Sequence, residues 1–162
     1  MERSKRIVFV SHCVLNQNAV VYPLARAKGA YKDIVKELID SDVGIHQLPC
    51  PECSHLGLKR KPMTKDEYDA DDYRTLNRNF ASDAVKEIKE YLSNDYEIAG
   101  IIGINESPTC GIEGEPGIFM EEFELLLKRA GIAVKMIDVP ADYHDDTKSA
   151  KFIDELRSLL VR

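Results

Sequence analysis

Residues 98–104 read I-A-G-I-I-G-I, the most apolar stretch of the chain and the one that decides its fold. The run is apolar without alternation, as in a strand covered on both faces. Residues 7–10 (I-V-F-V) read the same way. So do residues 43–48, entered through Gly44 and closed by Pro49, and residues 132–139. Between these runs the apolar period changes from continuous to helical. Ala30, Ile34, Val35, Leu38 and Ile39 mark a first helix. Thr64 with Glu67 fits a capping box. Phe80, Ala84, Val85, Ile88 and Leu92 mark a long amphipathic helix ending near Ser93 and Asn94. Phe119, Phe123, Leu126, Leu127 and Ala130 mark another, with Gly131 placed to end it. Phe152, Ile153, Leu156, Leu159 and Leu160 predict a last helix opened by Asp146 or Thr147.

The order is β-α-β-α-β-α-β-α. It predicts one α/β domain over residues 1–162, a three-layer α/β/α arrangement with a mainly parallel sheet of about four strands, Rossmann-like in kind. Residues 11–18, 49–53, 54–62 and 105–117 are expected to be loops, the third of them irregular and basic.

The 162 residues carry 22 basic and 28 acidic side chains, for a net charge of −6, with 44% hydrophobic and 31% charged residues. This is the composition of a globular protein with room for a core. The acidic balance argues against a protein that coats a large nucleic acid. No run approaches the roughly 18 apolar residues of a membrane span. The opening M-E-R-S-K-R-I-V-F-V reads as a first strand rather than a signal peptide, so a cytoplasmic protein is expected.

Chemistry points to the cysteines. Cys13 follows the first strand, Cys50 and Cys53 the second, and Cys110 the third. In a parallel sheet these loops leave one edge, where open α/β sheets bind ligands. Buried, inert thiols would explain one or two cysteines, not four in strand-to-helix loops. A zinc site is a second possibility, although structural zinc favours two close cysteine pairs. A thiol-redox enzyme using C-P-E-C is a third. Iron–sulfur clusters are also held by thiolates, and three thiolates on a four-iron cluster leave one iron open. His12 and His55 read as loop residues beside Cys13 and Cys53.

Three motifs, S-H-C-V-L-N at 11–16, C-P-E at 50–52 and E-S-P-T-C-G at 106–111, resemble those of the TudS family of thiouracil desulfidases. The resemblance runs through nearly the whole chain in order and spacing. It implies a [4Fe-4S] cluster on Cys13, Cys50 and Cys110, with an extra sulfide in a [4Fe-5S] form. It implies catalytic roles for Glu52 and Ser107, and removal of sulfur from 2-thiouracil or a related thiolated base or nucleoside. Two regions depart from the family pattern. H-L-G-L-K-R-K-P follows C-P-E, and Asn16, Gln17, Asn18 and Ala19 follow the first cysteine. Cys53 is extra, and reads as a fourth ligand, a thiol beside the site or a structural residue.

Glu52, two residues from Cys50, is expected to take a proton from attacking water, and Ser107 to relay or orient it. The plain alternatives are a surface carboxylate and a loop-bonding serine. Asn16, Asn18 and Asn105 are expected either to meet the edge of a base or to shape turns. Lys59, Arg60 and Lys61 read as a solvated basic turn, or as a guide for an anionic substrate.

Overall fold

A computed structural model describes residues 1–145 and 150–162. Its four strands are β1 (Arg6–Val10), β2 (Gly44–Gln47), β3 (Glu97–Ile104) and β4 (Met136–Val139). They form one sheet in the order β2-β1-β3-β4, every pair parallel. Successive side chains of a strand point to opposite faces, so a strand buried on both sides feeds two cores. Val8, Val10, Ile102 and Val139 pack in one core with Ile34 and Leu38 of α2 (Lys32–Asp40) and with Phe152 and Leu156 of α7 (Ala150–Leu160). Phe9 and Ile101 face the other core. There they meet Ala84, Val85 and Ile88 of α5 (Asp71–Ser93) and Phe119, Phe123 and Leu127 of α6 (Ile118–Arg129). The parallel α/β/α fold expected from the sequence is the fold observed. Among the described residues no helix is long and apolar enough to cross a membrane.

Most departures lie in segments read as loops. Residues 12–15 make a single helical turn, α1 (His12–Leu15), followed by a 3-10 turn over Gln17–Ala19. The expected stiff loop after β2 is instead α3 (Pro51–Leu56). Pro51 occupies its first turn, where the missing N–H costs nothing, and Cys50 is its N-cap. Cys13 and Cys53 therefore lie on short helices. The irregular segment begins only at Gly57, whose φ of +80° suits glycine. Thr64 and Glu67 do form a capping box, but it opens a separate turn, α4 (Lys65–Tyr68). Helix α5 starts at Asp71, ahead of the apolar stripe. β4 starts at Met136 because Ile132 and Val134 reach the core from an irregular approach. Ile39 is exposed, one position past Leu38 and so about 100° around the helix from the buried stripe. The proposed helix opening at Asp146 or Thr147 lies outside the described residues.

The loop between β3 and α6 is folded back tightly against its own sheet. Ile104 N–H donates to Cys110 O at 3.0 Å, and Gly117 N–H to Gly111 O at 2.9 Å. A Cβ on Gly117 would stand 2.3 Å from the Thr109 carbonyl carbon, a backbone atom that cannot swing away. Gly117→Ala is therefore expected to cost about 1–3 kcal/mol by overpacking. Gly29→Ala, where nothing lies within 4 Å, should change stability by under about 0.5 kcal/mol. Urea midpoints at unchanged slope measure both.

Candidate functional site

Strand order reverses between β1 and β3: the chain leaves β1 toward β2 on one side and β3 toward β4 on the other. The crevice beyond their carboxyl ends is where open α/β sheets receive ligands. A cavity of about 380 Å3 occupies it, lined by Cys13, Cys50, Cys110, Glu52, Ser107 and Asn105. His12, Gln17, Arg26, Tyr31 and Arg60 add polar groups to its wall, and Val20, Val21, Leu24 and Met63 apolar ones.

Each thiol is placed by backbone bonds of its own loop. Ser11 N–H donates to Ile102 O at 2.9 Å, which turns the chain out of β1 across the end of β3. Gln17 Nε2 then donates to Cys13 O at 2.8 Å. Cys50 caps α3, its Sγ accepting the Cys53 N–H at 3.4 Å. Gln47 Nε2 donates to His12 O at 2.8 Å and ties the first two loops together. Ser107 Oγ accepts the N–H of Cys110 at 2.9 Å and of Thr109 at 3.3 Å. Farther along, the buried Asp138 carboxylate accepts the N–H groups of Ile112 and Glu113, the latter at 2.8 Å.

The cavity gathers part of the set named from sequence. Cys53 is not among its lining residues; it sits within α3, behind Cys50. Asn105 is in the wall. Asn16 and Asn18 are not, and Asn16 Oδ1 instead accepts Asn18 N–H at 3.1 Å to cap the 3-10 turn. Ser107 reaches the cavity while bonding its own loop. His12 lines the cavity, whereas His55 packs on Tyr73 and faces Asp72 at 3.8 Å.

The solvated reading of the basic turn fails at Arg60. Its side chain is 3% exposed, and the guanidinium donates to Ala19 O at 2.7 Å and Gly57 O at 3.1 Å. Its Nε faces Glu52 Oε1 at 3.5 Å. The same oxygen accepts the Tyr68 hydroxyl at 2.9 Å. Tyr68 is not legible as a site residue, and Arg60 only as part of a basic turn or as a guide for an anionic substrate. Arg60 is one letter in a run of three cations, and Tyr68 lies on a turn the apolar pattern does not mark. Arg26 carried no signal either, and Gln17 was marked only by its place in the stretch that departs from the family pattern.

Comparison with protein-family models gives no match, and comparison with solved structures gives none. The chain is 40% identical over 154 residues to uncharacterized protein MJ0003 of Methanocaldococcus jannaschii, an overlap covering 95% of this chain and 98% of the relative. The chain belongs to the family of MJ0003. That name assigns no activity, so the chemistry of this member is read from its residues.

Burial governs the thiols. It pushes Cys13 up to about 12, helped by the nearby Cys50. It also raises Cys50, and holds Cys110 well above the usual thiol range, with the charges of Cys13, Cys50 and Glu52 adding to it. Arg26 opposes the shift at Cys13 and Arg60 at Cys50. At Cys110 the opposing group is the buried Ser11 hydroxyl beside it. Without a bound cation the thiols are neutral.

Three soft donors lining one cavity, each of them desolvated, fit a thiolate-held iron–sulfur cluster. Among the described residues no three His, Cys, Asp or Glu side chains close to the geometry of a single metal ion. A cluster is broader than one ion and takes ligands set around a cavity.

In the metal-free protein, Cys13 is expected to react with iodoacetamide at pH 8 at least about tenfold more slowly than free cysteine. The greater nucleophilicity of a basic thiolate offsets only part of its scarcity. The raised thiols also set the sign of a pH effect. Unfolded thiols ionise from about pH 9 while the buried ones stay protonated, so the metal-free fold keeps its stability below that and loses it as pH rises toward 12. Urea midpoints between pH 7 and 10.5 should fall only above about pH 9.

Proposed function

We propose that the protein is a [4Fe-4S]-dependent desulfidase that removes sulfur from a thiolated small molecule, such as 2-thiouracil or a related base or nucleoside. One observation carries the reading: Cys13, Cys50 and Cys110, from three separate loops, line the same cavity as Glu52. Cys53 stands outside that lining, which favours three protein ligands over four. Four free thiols suit a reducing compartment, the cytoplasm.

Bound to the three thiolates, the cluster supplies an iron open to soft sulfur, a Lewis acid that polarises a C=S bond. The chain's own residues do the rest. The cavity is of the size that takes a small ligand, and its apolar wall of Val20, Val21, Leu24 and Met63 limits bulk water. Asn105 presents a donor and an acceptor, and Arg26 donors, to the edge of a base. Glu52 accepts a proton as water adds to the thiocarbonyl carbon. Ser107 Oγ is held by the N–H groups of Thr109 and Cys110 and keeps its own proton free to donate. In the balance, C=S and water become C=O and hydrogen sulfide.

The thiol-redox reading loses support at Cys50. An attacking cysteine needs a lowered pKa, and desolvation raises this one.

Purified without oxygen, the protein is expected to be brown, with about four irons and about four acid-labile sulfides per chain. Serine at Cys13, Cys50 or Cys110 should abolish that content, and Cys53→Ser should keep it. Glu52→Gln should slow sulfide release from 2-thiouracil by about 10²–10⁴-fold with iron content intact. A colourless, zinc-loaded protein would overturn the reading.

A further inference from the structure

Glu52 is two residues from Cys50, yet the groups that fix its carboxylate come from farther along the chain. Tyr68 donates its hydroxyl to Oε1 at 2.9 Å, and Arg60 Nε faces the same atom at 3.5 Å. Among the described residues no donor meets Oε2. The Glu52 side chain is 13% exposed, so few competing waters reach it.

The supports are themselves anchored. Tyr68 is 3% exposed and ends α4, a four-residue turn held by the Thr64–Glu67 capping box. Its ring stacks on Tyr73 with centroids 4.8 Å apart and planes at 28°. The Tyr73 hydroxyl pairs with Thr109 Oγ1 at 2.7 Å, next to Cys110. Arg60 donates two further N–H groups to Ala19 O and Gly57 O, bridging the first loop to the end of α3. One framework thus fixes the carboxylate relative to both the Cys110 loop and the 3-10 turn at Ala19. A hydroxyl placed only to fill space would not need three elements to aim it.

We propose that Tyr68 and Arg60 are positioning residues that hold Oε1 of Glu52 and leave Oε2 as the oxygen that faces the reacting water. The proposal rests on the reading of Glu52 as the base. Geometry is the whole of its contribution: a misplacement of about 1 Å at a reacting group can cost about a hundredfold in rate.

Tyr68→Phe removes one oxygen and keeps the stacked ring. In the anaerobically purified holoprotein it is expected to retain iron and sulfide content and the thermal midpoint. It should lower kcat for sulfide release from 2-thiouracil about tenfold or more, with KM within about twofold. In a Glu52→Gln background the same change should cost almost nothing further, because there is no carboxylate left to aim. A fold or packing role would lower kcat equally in both backgrounds. Arg60→Lys should restore more rate than Arg60→Met. Independently of turnover, crystal structures should show the Glu52 carboxylate in one conformer in the wild type and turned or split in Tyr68→Phe. An unmoved carboxylate, or additive losses in the double variant, overturns the positioning role. Full activity in Glu52→Gln overturns the base assignment, and an unmoved Glu52 beside a slow Glu52→Gln variant overturns the positioning alone.

Discussion

Val10 pairs with Ile102 in a parallel ladder, and that pairing determines where this chain can do chemistry. Parallel strands end together, so the loops after β1 and β3 begin side by side. The next strands then lie on opposite sides of the pair, which keeps crossover connections away from the gap. The ladder is secured by burial rather than by its hydrogen bonds alone. Val8, Phe9, Val10, Ile101 and Ile102 are all fully buried, each contributing about 1.5–3 kcal/mol relative to exposure. Without this two-sided burial the edge would have no fixed geometry, and the three thiols would lie on independent loops.

A crevice lined by backbone needs its polar groups satisfied, and buried side chains meet that need. The loop carrying Cys110 leaves N–H groups of Thr109, Cys110, Ile112 and Glu113 without ladder partners. Ser107 takes the first two and Asp138 the second two. Arg60 does the converse for carbonyls, receiving those of Ala19 and Gly57 on one guanidinium. Unmade, each such bond would cost about 1–3 kcal/mol. Of these residues Ser107 alone reads as functional in a motif, and part of its role is to hold the motif's own loop.

Legibility followed the same division. Elements that bury an apolar face announce themselves by period, so the four strands and the longer helices were readable, although α5 begins at Asp71, nine residues before its first marked position, Phe80. Short turns that bury little, such as α1 and α3, left no period, and residues 49–53 read as a loop although Pro51 suits a helix's first turn. Topology placed all four cysteines at one sheet edge and the resemblance singled out Cys13, Cys50 and Cys110; Cys53 stays outside the cavity lining. The places of Glu52 and Ser107 in the cavity wall followed from their nearness to cysteines. Tyr68 was illegible, and Arg60 legible only as a charge in a basic turn, because their role depends on contacts across the fold. Asn16 and Asn105 had equal polarity in sequence, and only the packing separates a turn cap from a cavity wall.

The charge arrangement around the thiols is the feature that most constrains the proposed chemistry. Binding iron through Cys13, Cys50 and Cys110 requires all three to lose protons that desolvation holds in place. Three thiolates beside the Glu52 carboxylate would be untenable in this wall without positive charge. Arg26 acts on Cys13 and Arg60 on Cys50, and the iron itself must supply the remainder. Arg60 therefore has two duties that pull together. It offsets negative charge at the cysteine end of α3, and it keeps the Glu52 carboxylate beside that charge without forcing it to turn away. A lysine would offer the charge, but one ammonium cannot meet Glu52, Ala19 and Gly57 in the same planar fork.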